Sequence, residues 1–288
     1  VPVLLLDKEE HRLGGAANVA LNLKALGAEV YLCSVIGTDT AATKFQQLLS
    51  EATIQNQEII QSEDRKTTVK TRVLSGTQHV LRIDQEDTCD LSEPLEDALI
   101  QATKRRIDLG IDALIFEDYN KGVLKENVIH RITQHCKEIG VITAVDPKKN
   151  NFLAYKEVTI FKPNLKEVRE GLHMPIDTVD EQSLTAVHEA LFATLQHRTT
   201  FITLSEKGVY YNDGTKKALL PCHRRNIADV SGAGDTVIAT AALVYAITND
   251  PAIMAAISNI AGGIVCEEVG VVPIDKATLL AECVRLLQ

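Results

Sequence analysis

What most restricts the fold open to this chain is the stretch NIADVSGAGDTVIATAALVYA, Asn226–Ala246, where two glycines and two aspartates abut an apolar helix. A strand-like run, ALLPCHRRNIAD, ends there and a helix begins near Ala233. The first N–H groups of a helix lack internal partners, and the dipole is positive at that end. Gly232 and Gly234, with Ala233 between them, let anionic groups approach the backbone closely. Asp235 falls in the first turn, where the dipole keeps it ionised and it can take or orient the proton of an attacking hydroxyl. A backbone anion hole beside a carboxylate is the equipment of phosphoryl transfer. A capped helix with a tight turn accounts for the same residues equally well from composition alone. GxxxxGK[ST] and the HRD/DFG pair are missing, and GxGxxG fails because Val237 holds its third position.

Around this stretch the chain alternates strand and helix. GGAANVALNLKALG reads as a helix stopped by Gly27, and EVYLCSVIG as a strand. IDALIFE, VITAVD, VTIFKPN and TTFITLS read as further strands, with helices over NVIHRITQHCKEIG and from Asp180 to about Gln196. GVYYND and KKALLP are short strands, and three helices follow over 233–247, 251–266 and 275–286. The pattern predicts an α/β fold with a mostly parallel central sheet covered by helices on both faces. Residues 57–84 break the alternation: TTVKTRVL and QHVLRID, joined through Ser75–Thr77, predict a hairpin. With VPVLLLD they predict a small β appendage, so the expectation is one domain over 1–288 with appendage strands at about 1–13 and 57–85. The chain opens on Val1-Pro2-Val3 as if inside a strand, which predicts a natural N-terminal strand upstream.

The net charge of −9 and the lack of a dense Lys/Arg tract argue against nucleic acid as a partner. No apolar run approaches the roughly 18 residues of a membrane span, and no signal peptide is visible. Six cysteines without a CxxC pair predict reduced, mostly buried thiols in a cytoplasmic protein. His130 and His135 read as helix-surface residues, not as a metal pair.

Two stretches, LGGAANVALNLKALGAEVYLCSVIGTD (Leu13–Asp39) and DVSGAGDTVIAT (Asp229–Thr240), closely resemble the paired signatures of the PfkB/ribokinase family of carbohydrate kinases. They occur in the family's order, about 200 residues apart, and between them FKPNLKEV resembles its N-x-x-E motif and ITLSEKGV its nucleotide loop. The resemblance implies a ribokinase-like fold and makes the β appendage a lid over the sugar. It implies ATP and Mg²⁺ as cofactors, with room for a monovalent cation, and a homodimer formed through the lid. It makes Asp235 the catalytic base, and Gly232, Ala233 and Gly234 the anion hole. Gly14, Gly15 and Asn18 match the sugar-binding signature. Glu167, with Asn164, matches the motif that organises Mg²⁺ through water. Asn164, Thr203, Gly208, Asp229 and Asn259 fall on the nucleotide side. Asn164 and Glu167 also have the spacing of a capping box, and the two roles are compatible.

Within the family, Arg65–Asp87, EDYNKGVL (Glu117–Leu124) and VDPKKNNFLAY (Val145–Tyr155) resemble the branch that phosphorylates D-glycero-β-D-manno-heptose 7-phosphate at O1 for ADP-heptose and lipopolysaccharide core synthesis. Glu117 stands where that branch has Ser. A phosphorylated substrate needs a cationic grip, for which Arg72, Arg82, Lys121 and Lys148 are candidates, although Arg82 could pair with Asp84 or Glu86. The strand whose Gly-Asp holds sugar hydroxyls in related chains is missing here, and the expected activity is the kinase step alone. The competing readings are another small-sugar kinase of ribokinase or fructokinase type, and a nucleotide- or sugar-binding protein without catalysis.

Overall fold

The computed structural model describes residues 3, 5–76 and 78–287. Helix α1 (Ala16–Leu26) leads to strand β1 (Ser34–Ile36), helix α2 (Thr40–Glu51) and strand β2 (Ile59–Gln61). Strands β3 (Val69–Ser75) and β4 (Gln78–Gln85) form a ribbon, followed by helix α3 (Glu93–Asp108). Then come β5 (Ala113–Glu117), α4 (Glu126–Ile139), β6 (Ile142–Asp146), β7 (Ile160–Phe161), α5 (Leu165–Leu172) and α6 (Glu181–Leu195). Strands β8 (Thr199–Thr203), β9 (Val209–Asn212) and β10 (Lys217–Leu220) precede helices α7 (Ala233–Thr248), α8 (Pro251–Val265) and α9 (Lys276–Leu286).

Among the described residues the central sheet has the order β10-β9-β8-β7-β6-β5. Strands β5 to β8 run parallel, and β9 and β10 continue antiparallel at one edge. Its inner strands are apolar on both faces because successive side chains point in opposite directions and both are covered. Phe116, Val145, Phe161, Ile202 and Tyr210 join the core beneath α3, α4, α5 and α6. Their sequence neighbours Ala144, Ile160, Phe201, Val209 and Tyr211 join the core beneath α7 and α8. Helix α7 is buried along most of its length, and a methyl group on Gly262 of α8 would lie 2.6 Å from Val237 Cγ2, so the two helices pack closely.

Strands β1 and β2 form a separate parallel pair. A cleft of about 2400 Å³ is lined by Val30–Ile36 on one side and Ala113–Glu117 on the other, and it continues to Gly14, Tyr119, Gly232 and Asp235. The ribbon β3–β4 pairs antiparallel with Arg72 opposite Arg82 and an irregularity between Val73 and Leu74.

Three expectations need correction. Among the described residues of 1–13 no appendage strand forms: residues 5–13 have no regular structure, and Val3, Leu5 and Leu6 are exposed, while Val1, Pro2 and Leu4 lie outside the described residues. Strand β2, at the start of the expected hairpin, pairs with β1 instead of joining the ribbon. The central sheet is mostly parallel, as expected, and its two antiparallel edge strands arise because β8, β9 and β10 are joined by short connections that allow only hairpins. All six cysteines are free, but only Cys136 and Cys266 are buried, and Cys89 is exposed. In the ribbon turn, Thr77 lies outside the described residues.

Candidate active site

Helix α7 begins without a side-chain cap; its N-cap is Gly232 at φ +80°. A side chain there is excluded twice, by the left-handed backbone and by Asn18 Nδ2 and Val271 Cγ1, which would lie 3.0 and 3.3 Å from a Cβ. Asp229 braces the approach by accepting from the amides of Ser231 and Gly270, each at 3.0 Å. Burial pushes its carboxyl up, but these amide bonds outweigh it and hold the group below the usual range.

Asp235 occupies the third helical position and is 8% exposed. Asn18 Nδ2 donates to its Oδ2 at 2.7 Å, and the Tyr119 hydroxyl donates to its Oδ1 at 3.1 Å. Burial raises its proton affinity, and the bonds from Asn18 and Tyr119 only partly counter that. The net shift is upward, because the carboxylate is largely removed from water.

Helix α1 starts beside α7, with Gly15 at φ +57° as its N-cap. A Cβ on Gly15 would sit 3.4 Å from the Tyr119 ring, whereas one on Gly14 would meet nothing within 4 Å. Asn18 is fully buried. One turn on, Asn22 Oδ1 accepts from Thr236 Oγ1 and from the Ile274 amide, both at 2.9 Å, and so fixes α1 against α7.

Opposite these helix starts stand groups that follow the carboxyl ends of β5, β6 and β7, where parallel sheets offer their ligand crevice. Lys162, 2% exposed, pairs with Asp146 Oδ2 at 2.9 Å. Lys148 Nζ bridges Asp146 Oδ1 at 3.2 Å and Glu167 Oε1 at 2.6 Å. Burial pulls the Lys148 ammonium down, but the two carboxylates more than compensate and keep it charged. A Cβ on Gly234 would lie 3.7 Å from Asp146 Oδ2 and 3.9 Å from Lys162 Nζ, so this network reaches the first turn of α7. Glu117 contributes a carboxyl with no hydrogen-bond partner for either oxygen among the described residues. Burial, then the nearby Asp146 and Asp235, push it well above the usual carboxylate range.

The profile of the pfkB family carbohydrate kinases matches residues 2–277. This chain belongs to that family. Among curated relatives, the bifunctional protein HldE of Methylobacillus flagellatus is 39% identical over 98% of this chain and 57% of its own length. That of Campylobacter curvus is 34% identical over 94% of this chain and 56% of its own. The chain thus spans little more than half the length of these relatives. Among solved structures, phosphofructokinase-2 from Escherichia coli in complex with potassium superposes with a TM-score of 0.83 at 15% identity, covering 96% of this chain and 88% of that one. The same enzyme with fructose-6-phosphate gives 0.77 at 16% identity, with coverages of 96% and 88%. The fold is therefore ribokinase-like, and the chain is a phosphotransferase with an alcohol group as acceptor.

The remaining predicted positions of this pfkB kinase are distributed unevenly. Gly14, Gly15, Asp229, Gly232 and Asp235 line the large cleft, and so do Arg72 on β3 and Lys121 after β5. Lys121 pairs with Glu86, and Arg82 pairs with Asp84 at 3.1 Å, outside the cleft lining. Asn164 and Glu167 close a reciprocal capping box, at 2.9 Å for Asn164 Oδ1 to the Glu167 amide and 2.8 Å for Glu167 Oε2 to the Asn164 amide. The Thr203 amide bonds Pro163 O at 3.1 Å, and the side chain of buried Asn259 bonds Pro221 O at 2.9 Å. Gly208 sits at φ +94°, and a Cβ there would lie 2.0 Å from Leu220 O, so only glycine fits. These nucleotide-side positions lie outside the lining of the large cleft. Tyr119, Asn22, Asp146 and Lys162 carry no distinct signal of their own; the runs EDYNKG, VDPK and FKPN contain three of them.

Proposed function

We propose that this pfkB kinase transfers the γ-phosphoryl group of ATP to O1 of D-glycero-β-D-manno-heptose 7-phosphate, forming the 1,7-bisphosphate for ADP-heptose and lipopolysaccharide core synthesis in the cytoplasm. The observation that carries the reading is the uncapped start of α7, with Asp235 in its first turn and open to the same cleft as Gly14 and Gly15. In this reading the O1 proton passes to the Asp235 carboxylate as the O1–P bond forms, and the bond from the γ-phosphorus to the bridging oxygen of ADP breaks. The backbone N–H groups from Gly232 to Gly234 hold the transferring group. Asp235's raised proton affinity makes it a better acceptor than an exposed aspartate.

Mg²⁺ bound with ATP would offset charge on the phosphate oxygens. Among the described residues no group of three or more His, Cys, Asp and Glu gathers into a metal cage. The donor set therefore fits an ion held mostly by phosphates and water. Glu167 fits the role at one remove, because its two oxygens already serve the Asn164 amide and Lys148.

For the 7-phosphate, Arg72 is the better placed cation; Lys121 is engaged by Glu86, Lys148 by Asp146 and Glu167, and Arg82 by Asp84. The ribbon also supports a homodimer through the lid. Leu74, Leu81 and Ile83 are each 53% exposed on a two-stranded element, and such ribbons are marginal alone. Among the described residues no helix is long and apolar enough to cross a membrane.

A coupled assay comparing heptose 7-phosphate with ribose and fructose tests the assignment. Higher kcat/KM for the phosphorylated heptose is expected; preference for an unphosphorylated sugar overturns it in favour of a ribokinase- or fructokinase-type activity.

A further inference from the structure

We infer that Tyr119 is the positioning residue of the phosphoryl-transfer site, clamping the Asp235 carboxylate in the orientation from which it receives the sugar proton. The inference rests on the reading of Asp235 as the base. Asp235 is held at both oxygens from two distant segments: Asn18 on α1 takes Oδ2 and Tyr119, just beyond β5, takes Oδ1. A phenol can only donate to an ionised carboxylate, and each carboxylate oxygen has about two acceptor sites. Oδ1 therefore keeps one for the incoming hydroxyl.

The Tyr119 ring has been given little freedom. On the preceding residue, Asp118 Oδ2 accepts from Asn151 Nδ2 at 3.0 Å and from the Tyr155 hydroxyl at 2.8 Å, while Oδ1 accepts from the Asn120 amide at 2.8 Å. Asp118 is 2% exposed, so these bonds anchor the turn in the interior. On the other side the ring lies next to Gly15, where a Cβ would sit in van der Waals contact with it at 3.4 Å. Lys148 Nζ stands 5.9 Å from the ring centroid. The ring itself borders the cleft. A side chain anchored in this way and aimed at the base fixes where the proton acceptor points.

The other charged groups around Asp235 are Glu117 at the end of β5, Asp146 at the end of β6, and Lys162 beyond β7. All remain in a Tyr119→Phe variant, so the comparison isolates one O–H. That variant keeps the ring and its packing. With whichever acceptor the unaltered kinase turns over fastest, kcat is expected to fall roughly tenfold, with the KM for ATP unchanged. The acidic limb of the kcat/KM profile is expected to move to higher pH, because a donor that favours the ionised carboxylate is gone. A normal kcat with an unshifted limb overturns the inference. So does a raised sugar KM at unchanged kcat, which would make Tyr119 a substrate contact. A wrong sugar assignment leaves this test intact, since the acceptor is chosen by turnover. Should Asp235→Asn keep its activity, the base reading itself fails, whatever Tyr119→Phe does. Unaltered circular dichroism and melting temperature show that the variant is folded, and an NMR titration of the Asp235 carboxyl without substrate checks the same shift: an upward move supports the clamp and an unmoved midpoint refutes it.

Discussion

The starts of helices α5 and α7 are linked through Lys148 and Asp146, and both carry an acid at the third helical position. At α5 the acid turns back on its own helix. Glu167 takes the amide of its N-cap Asn164, Asn164 takes the amide of Glu167, and Lys148 takes the oxygen that remains. At α7 the N-cap is a glycine that offers no side chain, and Asp235 turns outward to Asn18 and Tyr119. One helix start is capped by side chains and the other by none. Sequence spacing alone does not separate these outcomes, because a first-turn acid suits both. The identity of the N-cap separates them: Asn closes α5 and Gly opens α7.

Replacing each N-cap by alanine sharpens the contrast. Gly232→Ala forces a Cβ against Asn18 Nδ2 and Val271 in a left-handed backbone. We expect kcat to fall about 100-fold through displacement of the amides and the base, and stability to drop by roughly 1–3 kcal/mol. Asn164→Ala removes only a cap, so denaturant unfolding should register about 1 kcal/mol, with a much smaller effect on kcat. Equal losses of activity in the two variants would break the distinction.

The smallest expected effect concerns Glu117, the last residue of β5, near Asp146 and Asp235. Its folded-state proton affinity is raised by burial and by Asp146 and Asp235, so the native state binds a proton that the unfolded chain releases. That contribution favours folding below the ordinary glutamate range and turns against it as pH rises beyond. Glu117→Gln should therefore raise stability at pH 7 by about 1 kcal/mol and flatten the decline of stability with increasing pH. Melting temperatures measured from pH 4 to pH 9 would test it; an unchanged or steeper decline in the variant contradicts the placement of an unpaired carboxyl there.

Much of this was legible in the sequence where the signal is local. Helices α7, α8 and α9 follow from their caps Gly232, Asp250 and Asp275, and the inner strands follow from short apolar runs. The ribbon follows from its alternation. VPVLLLD misled because an apolar run reads as a strand whether or not it has a partner, and residues 5–13 find none among the described residues. Helix α2 is marked at its start by Asp39, which takes the Ala42 amide, a cap not read from the sequence. The site divides along the same line. Gly232, Gly234 and Asp235 are neighbours in sequence, so their pattern is visible. Tyr119, Asp146 and Lys162 reach the site from the ends of three strands, and only the parallel order of β5, β6 and β7 brings them together. Lys148 and Arg82 have the charge for a phosphate grip, yet nearby carboxylates engage them, a choice made by packing at close range.

The most direct test of the open helix start is Asp235→Asn, followed both for phosphoryl transfer and for nucleotide affinity. The account predicts that transfer falls roughly 10²–10⁴-fold while ATP still binds, because the amides of α7 remain and only the proton acceptor is lost. Near-normal transfer by the asparagine variant would contradict it.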